Sequence, residues 1–161
     1  ITLKDSARKH TAKAKRKHII ADPKRKDVSA YANVDLLTPN LTELKAITAM
    51  PLTNIDEIGD AATALAKVHG FGSILTTLSA RGMILSLPDN TQFHDPASAQ
   101  EIFDVAGAGD TVVATVAAAL AAGAGLEAAV KLANHAAGVV VSKVGTATAT
   151  LDEIKEYEAN L

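Results

Sequence analysis

Short apolar runs that stop at prolines, alternating with stretches of helical period, constrain this chain more than any single residue does. His18-Ile19-Ile20-Ala21 reads as a buried strand halted by Asp22-Pro23, and Val34-Asp35-Leu36-Leu37 as a second halted by Thr38-Pro39. Proline offers no N–H and pushes the residue before it out of the helical region, so each strand must run into a turn there. Residues 73–77 and 83–87 read as further strands, and residues 92–94 as an edge strand. Residues 43–50 read as a short helix and residues 56–69 as a longer one, with Ile58, Ala62, Leu65 and Val68 on one face. Three more helices are expected over residues 112–122, 126–141 and 151–160. Gly123 and Gly125 part the first two, and Thr150 or Asp152 caps the last. Continuous apolar strands alternating with helices specify an α/β fold: three layers, α/β/α, around a mostly parallel sheet covered on both faces.

The chain has 161 residues, enough for one domain with a real core, and its 48% hydrophobic content excludes a disordered chain. It has no cysteine, which removes disulfides and thiolate zinc sites and fits a reducing cytosol. Its five histidines show no metal-ligand spacing. No apolar run reaches membrane-spanning length, no signal peptide is visible, and a net charge of -2 gives no general pull toward nucleic acid or membrane. A cytoplasmic protein is expected, with neither nucleic acid nor membrane as a partner. Residues 4–17 are basic but carry no interleaved aromatics, so they read as a solvated helix face. The chain opens at Ile1 within that charged stretch, so residues 1–161 are read as a single domain taken from a longer protein.

The chemistry concentrates in Asp104-Val105-Ala106-Gly107-Ala108-Gly109-Asp110-Thr111, which follows a strand-like Ile102-Phe103 and opens an apolar helix. A glycine-rich turn at a helix start presents free backbone N–H groups, and the helix dipole adds positive potential, which suits a phosphate. A carboxylate in the same turn, Asp110, is out of place beside a phosphate unless it takes a proton. The combination suggests phosphoryl transfer to a hydroxyl with Asp110 as base. The plainer alternative is a packing turn in which Asp110 only caps the helix. The turn lacks the Gly-Lys-Ser/Thr of a Walker loop, and its Gly-x-Gly-x-x-Gly fingerprint is incomplete.

Three other stretches carry paired readings. Asn40 and Glu43 have the spacing of a capping box, or Glu43 sits near a magnesium ion through water. Lys24 is a point charge for a phosphate, or a surface lysine in a basic loop with Arg25 and Lys26. Residues 77–82 form a tight turn, or line a nucleotide.

Taken in order, these pieces resemble the ribokinase-like (PfkB) family of sugar kinases over essentially the whole chain. The family's Asn-x-x-Glu magnesium motif is similar to Asn40-Leu41-Thr42-Glu43, and its nucleotide loop to Thr77-Leu78-Ser79-Ala80-Arg81-Gly82. Its signature Asp-x-x-Gly-Ala-Gly-Asp-Thr is present from Asp104 to Thr111. The resemblance implies ATP-dependent phosphorylation of a sugar hydroxyl with Mg²⁺. It implies Asp110 as base, the amides of Gly107, Ala108 and Gly109 as the anion hole, and Asn40 and Glu43 around Mg²⁺. It implies Thr77, Ser79 and Gly82 along the ATP, Asn134 on the adenine side, and Lys24 at a phosphate. It also implies a monovalent cation, usually K⁺, held by Asp104 and the carbonyls of Ala106, Val140, Lys143 and Gly145.

Finer features resemble the heptose-7-phosphate kinases of ADP-heptose synthesis. These are Asp22-Pro23-Lys24, residues 37–43, residues 110–115 and residues 143–148. Arg25 and Ala106 depart from that subgroup, which usually has Gly and often Ser there. The substrate implied is D-glycero-β-D-manno-heptose 7-phosphate, phosphorylated at O1 for lipopolysaccharide core synthesis. The alternatives are a kinase for ribose, fructose or a nucleoside, and a non-catalytic nucleotide-binding module. The family's N-terminal half, which carries most sugar contacts and a β-lid, has no match in the chain. The chain alone is therefore expected to bind nucleotide weakly without turning over sugar. Family dimers often use that lid, so the sequence leaves the oligomeric state open, a homodimer of the full-length protein being one option.

Overall fold

The structure, a computed structural model, describes residues 17–97 and 105–160. The basic stretch 4–16, the strand expected at residues 102–103 and the side chain of Asp104 lie outside them. The described residues group into two compact units: residues 17–78 with 84–94, and residues 79–83 with 95–97 and 105–160.

A five-stranded sheet runs in chain order: β1 (Ile20–Ala21), β2 (Leu36–Leu37), β3 (Ile74–Thr77), β4 (Met83–Ser86) and β5 (Gln92–Asp95). The first three strands are parallel, with Ile20 opposite Leu36, Ala21 opposite Leu37, and Leu37 opposite Ile74. The links from β3 to β4 and from β4 to β5 are too short for a parallel crossover, so the last strands run antiparallel and the sheet is mixed. A bond from the Leu87 N–H to the Thr91 carbonyl, 2.9 Å, closes the second of these hairpins. β1 and β2 are shorter than the apolar runs that announce them. Asp35 contributes to this: its carboxylate takes the Ile19 N–H at 2.9 Å, so a side chain replaces a ladder bond.

The first unit packs two helices, α1 (Leu41–Thr48) and α2 (Ile55–His69), into one core. Leu44 comes from α1, Ile58, Ala62 and Ala66 from α2, and Leu37, Ile74 and Ile84 from the sheet. Leu65 packs against this core as expected, but Val68 is 78% exposed. At 3.6 residues per turn Val68 points about 80° away from Ile58, just past the edge of the buried arc. Leu36, Leu75 and Leu85 alternate to the other face of the sheet and are buried as well, so both faces are covered.

The second unit carries α3 (Ala108–Ala121), α4 (Leu126–Val141) and α5 (Leu151–Ala159). α3 begins four residues earlier than its apolar stretch indicates, because Gly107 adopts a left-handed φ of 79° and starts the helix inside the glycine run. Its other end closes with bonds from Gly123 N–H to Leu120 and from Ala124 N–H to Ala119, around a left-handed Gly123. This is a Schellman stop, and it turns the chain directly into α4. Ala136, Val139 and Ile154 form a small core between α4 and α5, flanked by Leu132, Ala149 and Tyr157. A Cβ on Gly138 would meet the Tyr157 ring at 2.6 Å, so α5 seats its tyrosine on the backbone of α4. Among the described residues no helix is long and apolar enough to cross a membrane.

Candidate active site

The first unit gathers its functional candidates at the carboxyl ends of the parallel strands, where open α/β sheets place their ligands. Asp22 follows β1, Thr38 follows β2, and the ladder continues past β2 into a parallel bridge between Asn40 and Thr77. The Thr77 N–H donates to the Pro39 carbonyl at 3.1 Å, which fixes Asn40 beside the end of β3. Asn40 caps α1 through a complete capping box. Its Oδ1 accepts from the Glu43 N–H at 2.9 Å, and Glu43 Oε2 accepts from the Asn40 N–H at 2.8 Å. The capping reading is therefore realised, and it leaves Glu43 Oε1 for other work. That oxygen lies 3.5 Å from Lys24 Nζ, whose nearer partner is Asp22 at 2.7 Å. The hydrogen bond to Asp22, aided by the Glu43 carboxylate, holds the Lys24 pKa above its ordinary value. The structure thus brings together Lys24, Asn40, Glu43 and Thr77. It adds Asp22, whose position two residues before Lys24 in the strand-ending turn is the signal that could have found it.

The second unit presents the glycine turn. Gly107 is the N-cap of α3, no side chain caps the helix, and Asp110 occupies its third position. The Asp110 side chain is exposed and takes no hydrogen bond among the described residues. The alternative in which Asp110 serves as the cap is therefore not what the helix uses. The Ala108 N–H leans back to the Val105 carbonyl at 3.3 Å, whereas the Gly109 and Asp110 amides are first-turn donors with no helical acceptor. Thr111 closes the turn, donating both N–H and hydroxyl to the Gly107 carbonyl at 2.9 Å. Ala106 is exposed at the start of the turn.

Val140, Lys143 and Gly145 lie where α4 runs into its following loop. The Val140 carbonyl accepts the Lys143 N–H at 3.1 Å, and Gly145 turns the chain with a φ of 77°. A Cβ on Gly107 would have Thr146 Cγ2 as its nearest neighbour, at 3.6 Å, so this loop lies against the glycine turn. Lys143 Nζ reaches Glu153 Oε1 at 2.6 Å and the Thr148 carbonyl at 2.8 Å. Glu153 also caps α5, accepting the Thr150 N–H at 2.8 Å. The bond from Lys143, then those from Thr150, push the Glu153 pKa down from 4.5 to about 2. A lowered acid stabilises above its ordinary pKa, so this bonding is intact above pH 4.5 and fails as pH falls toward about 2. The spacing Thr150-x-x-Glu153 is itself a capping-box signature, so the signal that could have found Glu153 is present in the sequence.

Ser79, Gly82 and Asn134 converge on a third point in the second unit. Ser79 adopts a left-handed φ of 55°, and its carbonyl accepts the Gly82 N–H at 2.9 Å. The chain at Asp95 to Ala97 passes so close to Gly82 that a Cβ there would meet the Ala97 nitrogen at 2.5 Å. Asn134 is buried and grips the same segment: its Nδ2 donates to Asp95 Oδ2 at 2.7 Å and to the Pro96 carbonyl at 2.9 Å. The amide expected on the adenine side therefore has its donors engaged by the chain itself. Asp95 is an addition to the expected set, and no spacing in the sequence links it to Asn134.

A family model described as pfkB family carbohydrate kinase matches residues 2–153. The chain is 50% identical over 143 residues to the "Bifunctional protein HldE" of Paramagnetospirillum magneticum, covering 89% of this chain and 29% of that protein. In structure it is similar to Arabidopsis thaliana ribokinase complexed with ribose and ATP, with a TM-score of 0.79 and 25% identity over 87% of this chain and 47% of the ribokinase. It is similar in fold to the phosphofructokinase-2 from Escherichia coli in complex with potassium, with a TM-score of 0.79 and 23% identity over 89% of this chain and 47% of that one. The chain thus spans under a third of that curated relative and about half of those solved structures.

Proposed function

The chain belongs to the pfkB family of carbohydrate kinases, and on that premise we propose that it carries the catalytic and ATP-binding machinery of a sugar kinase. The observation that carries this reading is Asp110: an exposed carboxylate that caps nothing, one residue after a glycine amide with no helical acceptor. Asp110 accepts the proton of the attacking hydroxyl as that oxygen bonds to the γ-phosphorus and the bond to the β–γ bridging oxygen breaks, releasing ADP. The amides of Gly107, Ala108 and Gly109 receive the charge on the transferring group. Asn40 and Glu43 hold Mg²⁺ through water; the donor set fits, since Glu43 Oε1 and Asp22 already share one cation, the Lys24 ammonium. When bound, Mg²⁺ supplies neutralising charge along the phosphates. Lys24 offers a point charge to a phosphate at the same strand ends. Thr77, Ser79 and Gly82 line the ATP, and Asn134 serves that loop from the adenine side. Asp104 and the carbonyls of Ala106, Val140, Lys143 and Gly145 form an all-oxygen set suited to K⁺.

The substrate we assign is heptose 7-phosphate, phosphorylated at O1 on the way to ADP-heptose. The subgroup motifs around Asp22, Asn40 and Lys143 support it, as does the likeness to HldE. ADP release by the full-length protein with heptose 7-phosphate, ribose, fructose and a nucleoside tests both levels. The expected result is turnover with the heptose and its loss in Asp110→Asn, with ATP binding by calorimetry retained. Preference for another sugar replaces the substrate and keeps the kinase. Equal sugar-dependent turnover by the full-length protein and its Asp110→Asn variant overturns the kinase mechanism.

A further inference from the structure

We propose that Glu153 is a positioning residue for the glycine turn, acting through Lys143 and the loop that both side chains close. The proposal rests on the reading of residues 107–110 as the phosphate-binding turn. The loop after α4 is stitched at both ends. Lys143 Nζ holds Glu153 at 2.6 Å and the Thr148 carbonyl at 2.8 Å, so one ammonium ties the first residue of the loop to its far side. Glu153 Oε2 holds the Thr150 N–H at 2.8 Å and its hydroxyl at 3.0 Å, which fixes the last residue of the loop to α5. α5 in turn is anchored on α4 by Ile154 and by Tyr157 against Gly138. Inside this frame Gly145 reverses the chain, Val144 is 86% exposed, and Thr146 is the residue laid against Gly107.

Two oxygens of one carboxylate therefore do separable work. Oε2 completes a helix cap, whereas Oε1 grips the lysine that shapes the loop. The Lys143–Glu153 pair is about one-third exposed on each side, and pairs of that kind add little to global stability. Its effect is local: without it, residues 144–148 gain conformational freedom, and Thr146 no longer backs the turn.

Glu153→Gln separates the two oxygens' roles, because glutamine still completes a capping box but carries no charge for Lys143. Lys143→Met removes the other partner. Amide hydrogen exchange followed by mass spectrometry reads the result. Exchange at the bonded amides of the turn, Ala108 and Thr111, should quicken by about threefold or more in each single variant and no further in the double variant, while residues 129–140 and the melting temperature stay put. Unchanged exchange in the turn overturns the proposal. So does quickening spread through α4, which marks a purely structural pair, and so do additive effects in the double variant. The measurement needs no turnover, so a failure of the kinase reading in the ADP-release assay is distinguishable from a failure of Glu153 to order the turn.

Discussion

The N-termini of α1 and α3 are built from the same elementary problem and solve it in opposite ways. Each helix starts with backbone N–H groups that have no acceptor inside the helix. α1 satisfies them with its own side chains: Asn40 accepts from Glu43, and Glu43 returns to Asn40. α3 puts glycine at the cap, leaves its third residue an exposed aspartate, and offers no side-chain cap to its first amides. The first end is finished without a ligand, with one carboxylate oxygen to spare. The second leaves its first amides to solvent, open to an anion. Within one chain, an acidic residue three positions into a helix is structural in one case and chemically free in the other, and the cap residue decides which.

The comparison breaks most visibly at Asp110. In the full-length protein, Asp110→Asn is expected to lower sugar-dependent turnover by roughly 10²–10⁴-fold with the melting temperature held, the outcome the proposed role of a general base that caps nothing requires. A drop in stability instead would return Asp110 to the structural side. Gly107→Ala comes next. The left-handed φ of 79° leaves a side chain strained even though the space is open. A loss of about 1–2 kcal/mol in denaturant melts is expected. Gly109→Ala, by contrast, lies in helical conformation with nothing near its Cβ, and should match or exceed the parent chain in stability. Asn40→Ala should cost about 1 kcal/mol through the lost cap, and Asn40→Asp should largely restore it. The smallest effect is expected at Lys24, 69% exposed, where Lys24→Met should change stability by less than about 0.5 kcal/mol. It should also lower the Mg²⁺ concentration needed for half-maximal turnover, since Glu43 loses a competing cation. A raised requirement would show that the lysine helps the metal.

The α/β class, the five α-helices among the described residues and the proline-stopped strands are legible in the sequence because periodicity and φ restriction are local properties. What escapes depends on partners far along the chain. The mixed sheet follows from two short links rather than from strand composition. Val68 matches the helical period yet falls outside the buried arc, whose edge is set by what covers it. The helix boundary at Ala108 is hidden because glycine usually marks a helix end, whereas here a left-handed Gly107 begins one. In the site, the spacing of Asn40 and Glu43 carries both roles, and the structure realises the capping role in full. Asn134 is legible as a candidate, but its grip on Asp95 and Pro96 joins residues 38 or more positions apart, and no spacing rule reaches that far. Glu153 carries a readable signature, yet Thr150 and Asp152 already suffice as caps, so nothing local demands a second role for it.

The turn between α3 and α4 has a practical consequence. Gly123 and Gly125 have open space where a Cβ would stand, and only Gly123 needs its left-handed backbone. The chain contains no cysteine. Gly125→Cys therefore gives a single thiol at an exposed corner, able to carry a fluorophore or spin label with no background labelling. A reporter there touches no group assigned to the chemistry.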